Sequence, residues 1–154
     1  MALSITPARM TDLDRLLAIE GAAFDSKLYV WMTRRQFAAH LASPRALILL
    51  ARDSGVGPVG YALCFRRRGT FYLRLYSLAV DPAFQGGRVG AELFQGVEDA
   101  ARAEGLGVQL EIRADNRKLL DRYLRLGYAR YRDVADYYPD GSGCIKLKRE
   151  MSAM

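Results

Sequence analysis

Apolar and polar positions alternate along the chain with two different periods, and these periods predict strands and helices. Spacings of three and four between apolar residues predict helices, and short apolar runs bounded by turn-forming residues predict strands. In chain order, the predicted elements are a strand at 5–7, helices opening near 11 and at 34–41, strands at 46–52, 59–65 and 70–80, a helix at 91–103, a strand at 108–113, a helix at 118–126, and strands at 129–136 and 144–149. This order predicts a mixed α/β fold, an α+β arrangement of helices around one sheet.

The starts of the first two helices carry capping signals. Thr11 is expected to be the N-cap of the first helix, with acidic residues following it in the first turn. The sequence from Thr33 to Gln36 has the spacing of a capping box and predicts the start of the second helix.

Length and composition narrow the class of protein. A chain of 154 residues, 51% hydrophobic and 26% charged, has the size and balance of one soluble globular domain, which we expect to span residues 1–154. No apolar run approaches the length of a membrane span, and the N-terminus lacks the layout of a signal peptide. We therefore expect a cytoplasmic protein with no membrane partner.

Charge and metal-binding residue types exclude further classes. The formal net charge is +6, but the sequence does not interleave aromatic and basic residues as a nucleic-acid surface does, so no direct contact with nucleic acid is expected. The basic run at 66–68 is interpreted as a solvated hairpin end, with docking to an acidic or RNA-rich partner as the alternative. One histidine and two distant cysteines, Cys64 and Cys144, predict no metal centre, and both cysteines are expected to be buried in strands.

The most informative segment joins a predicted strand to a predicted helix. Residues 80–91 read VDPAFQGGRVGA. Pro82 ends the strand because proline has no N–H for the ladder. Three glycines and an arginine then lead into a helix, whose first turn has free N–H groups and a dipole that favours negative charge. The segment predicts a binding site for a phosphorylated cofactor; the alternative is a plain helix start with glycines in its loop.

Two common phosphate-binding motifs do not match this turn. A Walker loop requires Gly-Lys-Ser/Thr, and no lysine follows these glycines. A Rossmann site places its glycines early in a βαβ unit, whereas this turn lies past the middle of the chain.

The turn resembles the cofactor motif of the GCN5-related N-acetyltransferase (GNAT) family, Val-x-Pro-x-x-Gln/Arg-x-x-Gly-x-Gly/Ala. The chain departs from it at Arg88, where a glycine is usual. Residues 110–116, LEIRADN, followed by LLDRYLRLGY at 119–128, resemble the family's second signature. The resemblance extends from Ile5 to Arg149 and is greatest to protein N-terminal acetyltransferases, especially the bacterial enzymes that acetylate the N-terminal alanine of a ribosomal protein.

This resemblance implies the GNAT acyl-coenzyme A N-acyltransferase fold, in which a mostly antiparallel central sheet splays at a cleft for acetyl-coenzyme A. Arg88 is expected to contact a phosphate or to point into solvent. Asn116 is expected to cap the following helix or to bind the pantetheine arm. The residues implied to contact the cosubstrate are Leu78, Ala79, Val80, Gln85, Gly86, Gly87, Arg88, Val89, Gly90, Ala91 and Asn116.

The resemblance also implies two catalytic residues. Tyr123 matches the family's tyrosine that donates a proton to the departing thiolate, and the alternative is an aromatic residue of the core. Glu111 is a lone carboxylate in an apolar strand, and it matches the position of the candidate general base, which acts through water. The alternative for Glu111 is an exposed carboxylate paired with Arg113.

Aromatic residues are expected around the acceptor. Trp31, in the segment between the first two helices, and Tyr137 and Tyr138, before the last hairpin turn, are candidates for substrate contact; the two tyrosines are alternatively a simple edge pair. His40 is expected to face solvent without partners.

Together these observations predict a transferase that moves the acetyl group of acetyl-coenzyme A to a primary amine, with a protein N-terminal amine as the leading acceptor. A small-molecule amine acetyltransferase is the alternative within the enzyme class. A catalytically weak acetyl-coenzyme A-binding module is the alternative outside it. The sequence leaves a homodimer open.

Overall fold

The computed structural model describes residues 2–151, which form one seven-stranded mixed sheet with helices on both faces. The strands are β1 (Leu3–Pro7), β2 (Ala46–Asp53), β3 (Gly57–Arg66), β4 (Tyr72–Val80), β5 (Gly107–Arg113), β6 (Ala129–Val134) and β7 (Cys144–Arg149); the helices are α1 (Leu13–Ala23), α2 (Arg34–Ala42), α3 (Val89–Ala103) and α4 (Arg117–Arg125). The strand order is β1-β2-β3-β4-β5-β7-β6, and every neighbouring pair except β4–β5 is antiparallel. The predicted fold class and element order are confirmed.

Two cores lie on opposite faces of the sheet, as the alternation along β2 requires. Leu49 and Ala51 face the larger core, which packs under α3 and α4. Ile48 and Leu50 face the smaller core, which packs under α1 and α2.

The sheet splays between its two parallel strands. β4 and β5 pair only from Tyr72 with Gly107 to Leu75 with Leu110, although both strands continue further along the chain. Tyr76 follows the last pair and is skipped in the register with β3, where Leu63 pairs with Ser77 and Cys64 with Leu75. This bulge bends β4 away from β5 and opens a gap between the strands.

Several predicted boundaries shift in the structure. The capping box at Thr33 is confirmed, because its hydroxyl accepts a hydrogen bond from the backbone N–H of Gln36. The N-cap at Thr11 is wrong, since a short 3-10 turn at Met10–Asp12 precedes α1. Helix α3 begins at Val89, two residues earlier than predicted, so the last glycine of the turn lies inside it.

Candidate functional site

One cavity of about 620 Å³ occupies the gap between β4 and β5. At one end it is lined by Gly90, in the first turn of α3, and by α4 with its N-cap residue Asn116. At the other end it is lined by Glu111 and by aromatic residues of the segments after α1 and β6. The cavity therefore brings residues from both family-like signatures to one place.

The N-terminus of α3 lies where the sequence predicts the phosphate-binding turn. Its N-cap residue, Arg88, makes no side-chain capping hydrogen bond, so the N–H groups of the first turn are left to other acceptors. Gly86 has a φ of 82°, a backbone conformation that side chains disfavour. The Arg88 guanidinium lies 3.6 Å from the Glu92 carboxylate and is largely exposed. This turn can hold a phosphate through its backbone.

The eleven positions implied to contact the cosubstrate occupy three kinds of place. Leu78, Gly90 and Asn116 line the cavity. The side chains of Ala79 and Val89 are buried in the two cores, which leaves only their backbone atoms for a ligand, and Val80 packs against the larger core. Gln85, Gly86, Gly87, Arg88 and Ala91 are exposed on the turn and the start of α3.

Two side-chain amides hold the backbone near this end. The Gln85 amide donates to the carbonyl of Val80 at 2.9 Å and so closes the turn onto the end of β4. The Asn116 side chain accepts a hydrogen bond from the backbone N–H of Leu119 at 3.1 Å. Asn116 is thus the N-cap of α4, as one of its two expected roles required. It also borders the cavity, and its contact with the pantetheine arm stays a prediction.

Tyr123 is part of the cavity wall. Its ring packs against Phe94, with centroids 5.2 Å apart, and against Tyr128 at 5.6 Å. Burial raises the pKa of the Tyr123 hydroxyl to about 12, so the hydroxyl stays protonated at neutral pH. The neighbouring Tyr128 differs, because its hydroxyl donates to the buried carboxylate of Glu98 at 2.9 Å.

Glu111 is the centre of a charged cluster on the cavity wall. Its carboxylate accepts two hydrogen bonds from Arg74, at 3.1 and 2.8 Å, and one from the hydroxyl of Tyr137 at 2.9 Å. Lys146 lies 3.7 Å away. Burial alone would raise the pKa of Glu111, but the hydrogen bonds and charges of these partners outweigh it and lower that pKa. The expected alternative, an exposed pair with Arg113, is wrong: Glu111 is largely buried and its partners are others.

Aromatic side chains surround the part of the cavity near Glu111, where the sequence predicts the acceptor. Trp31, Tyr137 and Tyr138 all line the cavity, together with Tyr29. The indole N–H of Trp31 donates to the carbonyl of Phe24 at 2.9 Å, which fixes the segment after α1. Tyr138 packs edge-on against Tyr29 at 5.6 Å and against Tyr137 at 5.1 Å. The contact between Tyr29 and Tyr138 therefore joins the segment after α1 to the segment after β6, on either side of the opening.

The structure adds polar residues that sequence reasoning missed. Glu20 is 5% exposed; its carboxylate accepts the backbone N–H of Met32 at 2.7 Å and the hydroxyl of Tyr61, which in turn lies 3.2 Å from that of Ser77. Glu20 and Ser77 both line the cavity. The sequence signal that could have identified Glu20 is a lone carboxylate next to the apolar Ile19 on the buried face of a helix.

The expectation for His40 is wrong. His40 is half-buried, borders the cavity and packs edge-on against Phe65 with a centroid distance of 4.9 Å. Residues on α2 and β3 approach each other here because the smaller core brings α2 onto the sheet, a contact that local spacing does not reveal.

Other expectations concern residues outside the cavity. Cys64 and Cys144 are free and buried in strands, as predicted. Between residues 2 and 151, no three His, Cys, Asp or Glu side chains form a group that could hold a metal ion. Of the helices described, none combines the length and the apolar character needed to cross a membrane.

Comparison with known proteins gives three kinds of match. Residues 13–128 match the model of the acetyltransferase (GNAT) family. The chain is 32% identical over 157 aligned positions to the N-alpha-acetyltransferase RimI of Mycobacterium tuberculosis, an alignment that covers 97% of each protein.

Solved structures share the fold. The ribosomal-protein-S18-alanine N-acetyltransferase of Escherichia coli superposes with a TM-score of 0.86 at 24% identity, over 99% of this chain and 96% of that one. Nourseothricin acetyltransferase superposes with a TM-score of 0.76 at 15% identity, over 99% and 100%. At these identities the likeness shows the fold and does not choose between acceptors.

Proposed function

Because the chain belongs to the acetyltransferase (GNAT) family, we propose that it transfers the acetyl group of acetyl-coenzyme A to the α-amine of a protein N-terminus. Membership of the family makes the protein an acetyl-coenzyme A-dependent N-acetyltransferase. The choice of a protein N-terminus rests on the likeness to RimI across nearly the whole of both chains.

One observation carries the proposal. A single cavity is lined by Gly90 in the first turn of α3, by Tyr123 and by Glu111. A cosubstrate held by its phosphates at the α3 end presents its thioester near Tyr123, with the acceptor amine near Glu111. Holding both reactants in one site removes much of the entropic cost of their meeting.

The first turn of α3 fits a pyrophosphate. Its N–H groups have no capping side chain, and the helix dipole favours negative charge at this end. When bound there, acetyl-coenzyme A supplies the activated acetyl group. Backbone N–H groups of β4 near Leu78, which follow the bulge, are then the donors we propose for the pantetheine arm and the thioester carbonyl.

We assign Glu111 two tasks at the acceptor end. Its lowered pKa keeps the carboxylate ionised at neutral pH, so it can accept a hydrogen bond from the acceptor's amine. The same lowering makes it a weak base, and we therefore propose that the amine loses its proton through water, with Glu111 and the hydroxyl of Tyr137 orienting that water. Arg74 and Lys146 hold the carboxylate in place.

Tyr123 is proposed to stabilise the leaving sulfur. A hydroxyl with a pKa of about 12 is a weaker acid than a thiol, whose pKa is about 8.5. Complete proton transfer from Tyr123 to the thiolate is therefore uphill, and a donated hydrogen bond to the developing thiolate carries most of the effect. The second amine proton, which is released as the N–C bond forms and the C–S bond breaks, goes to the sulfur; Tyr123 can relay it by accepting this proton as it gives up its own.

Two other functions remain open for testing. A small-molecule amine acceptor is compatible with the shared fold of nourseothricin acetyltransferase. A weak cofactor-binding module would be favoured if Arg88 obstructed the turn, but its guanidinium is directed toward Glu92 and solvent, and Arg88 leaves the cavity lining free.

The test is a rate measurement with purified protein and acetyl-coenzyme A. Release of free thiol is followed with peptides bearing a free α-amine, the same peptides with a blocked α-amine and one lysine, and a panel of polyamines and amino acids. The proposal predicts turnover with free α-amines and loss of turnover when they are blocked. Turnover confined to the small amines would replace this proposal with the small-molecule function.

A further inference from the structure

Arg113 is a buried arginine with an unusual set of partners. It is the last residue of β5, its side chain is 6% exposed, and it makes contacts in three separate parts of the chain. Its guanidinium donates to Asp115 at 3.1 and 3.0 Å and to Asp140 at 3.2 and 2.6 Å. It also donates to the hydroxyl of Ser142 at 2.8 Å and to the carbonyl of Leu28 at 3.4 Å.

Leu28, Asp140 and Ser142 belong to the two segments that flank the acceptor end of the cavity, whereas Asp115 lies just after β5. We call residues 24–33 the first rim loop and residues 135–143 the second rim loop. Arg113 lies over the ring of Tyr29 from the first rim loop, at 5.6 Å, and over that of Tyr138 from the second, at 5.0 Å. The two rings contact each other and line the cavity, so the guanidinium braces an aromatic pair that forms part of the opening.

The second rim loop is held to β5 by Arg113, by the hydroxyl of Tyr137, which donates to Glu111 at 2.9 Å, and by few backbone contacts. The backbone N–H of Ala114 donates to the carbonyl of Gly143 at 2.8 Å. Within the loop, Asp140 accepts the backbone N–H of Ser142 at 3.1 Å, and the Arg113 hydrogen bonds lower the pKa of Asp140 to about 2. The loop therefore presents an ionised carboxylate to the arginine at any physiological pH.

We infer that Arg113 is a positioning residue for the acceptor, clamping the two rim loops in the spacing that an incoming polypeptide N-terminus requires. This inference rests on the proposed function for the identity of the acceptor. Without the guanidinium, Asp115 and Asp140 would face each other as like charges, and the Tyr29–Tyr138 pair would lose its cation. The loops would then have to be ordered by the acceptor itself, and that ordering reduces affinity.

Lysine cannot replace this arginine. A guanidinium presents several donors in a rigid plane and can chelate two carboxylates at once, whereas an ammonium is a compact point charge. Arg113→Lys should therefore resemble Arg113→Met rather than the wild type. A matched control exists on β6, where Arg130 binds Asp133 with two hydrogen bonds of 3.0 and 2.6 Å at an exposed position.

The first readout is the split between the two Michaelis constants. For Arg113→Met we expect the KM for an N-terminal peptide to rise about tenfold or more, from the loss of a buried, paired charge. The KM for acetyl-coenzyme A should stay within about twofold, because the α3 turn makes no use of Arg113. Arg130→Met should change neither constant. An unchanged peptide KM in folded Arg113→Met would overturn the inference, and so would an equal rise in both constants.

The second readout does not depend on activity. The chain has one tryptophan, Trp31, and it belongs to the first rim loop. Acrylamide quenching of its fluorescence should increase in Arg113→Met and remain at the wild-type value in Arg130→Met. If Arg113→Met does not fold, Asp140→Asn takes its place, because it keeps the shape of the clamp and removes one charge. Quenching of Trp31 should increase in this variant too. Unchanged quenching in whichever variant folds would contradict the clamp.

The experiment also separates this inference from the function on which it rests. If the wild type acetylates small amines and no peptide, the proposed acceptor is wrong, while the quenching result still reports on the clamp. If the wild type acetylates peptides and the variants match it in peptide KM and quenching, only the inference about Arg113 fails.

Discussion

Replacing Tyr123 by phenylalanine tests the proposed role of the hydroxyl without altering the packing around it. The ring contacts with Phe94 and Tyr128 are kept, and no hydrogen bond to the hydroxyl exists among the described residues. We therefore expect the free energy of unfolding to change by less than about 1 kcal/mol. The loss of one positioned donor to a developing charge should lower the rate of acetyl transfer by between about tenfold and 10³-fold.

Tyr128→Phe is the matched control for this prediction. Tyr128 stacks against Tyr123, but its hydroxyl serves the buried carboxylate of Glu98, whose remaining cation, Arg149, lies 3.5 Å away. Removing that hydroxyl should cost about 1–3 kcal/mol of stability, because a buried acceptor loses its donor. The transfer rate at a temperature where the variant is folded should stay near that of the wild type.

The assay is a single-turnover measurement by rapid quench, with melting temperatures taken on the same preparations. Single turnover isolates chemistry from product release. Isothermal titration should show unchanged affinity for acetyl-coenzyme A in Tyr123→Phe. If Tyr123→Phe transfers acetyl at the wild-type rate, or if Tyr128→Phe is equally slow, the hydroxyl of Tyr123 has no special role and the reasoning is refuted.

Three further predictions follow from the same geometry. Glu111→Gln should lower kcat but leave the acid limb of the pH–rate profile in place. The pKa of Glu111 is already lowered, so this limb reports the titration of the acceptor amine, near pH 8. If the limb disappears in the variant, Glu111 is the titrating base. The stability that ionised Glu111 contributes should be fully present above the ordinary pKa of a glutamate and be lost as the pH falls through the lowered pKa. The difference in melting temperature between wild type and Glu111→Gln should therefore shrink in acid, and a constant difference would contradict this. Gly90→Glu should weaken binding of acetyl-coenzyme A far more than the equally large Gly90→Gln. A Cβ at this position has room in both variants, 3.8 Å from Val80 and 4.0 Å from Leu78, and only the glutamate adds a charge that would repel the pyrophosphate. Equal affinities of the two variants by titration calorimetry would rule out the turn as the phosphate site. Arg88→Ala should weaken that binding by less than about tenfold, as an exposed charge does, and a larger loss would make Arg88 a principal phosphate ligand.

Local sequence signals predicted much of the fold. The period-two runs and the glycine turn predict the strands around the site, and the capping box at Thr33 predicts a helix start that the structure confirms. These features depend on a few neighbouring residues, so spacing is sufficient to read them. The start of α1 was missed because a 3-10 turn at Met10–Asp12 leaves the same residue types in the same order as a direct N-cap.

The partners of the site residues could not be predicted from spacing. Glu111 was correctly identified as a carboxylate in an apolar strand, but its ion pair is with Arg74, 37 positions earlier, because the parallel pairing of β4 with β5 places these strands side by side. Arg113 drew attention only as a possible neighbour of Glu111, since side chains at i and i+2 share a strand face. Its actual partners come from two loops, and loop conformations are set by tertiary contacts.

The same limit explains Glu20 and His40. Each lies on a helix whose orientation on the sheet decides whether the side chain meets the cavity or water. Helical periodicity identifies the buried face of α1 but not what lies opposite it. Glu20 meets the hydroxyl of Tyr61 there, a residue of β3 that is distant in sequence.

The position of the transferred acetyl group tests the central proposal most directly. A peptide with a free N-terminal amine and one internal lysine is incubated with the protein and acetyl-coenzyme A, and the product is fragmented in a mass spectrometer. We expect a single added acetyl group, located on the α-nitrogen of the first residue. Acetylation of the lysine with a free α-amine, or an unmodified peptide alongside an acetylated small amine, would contradict it.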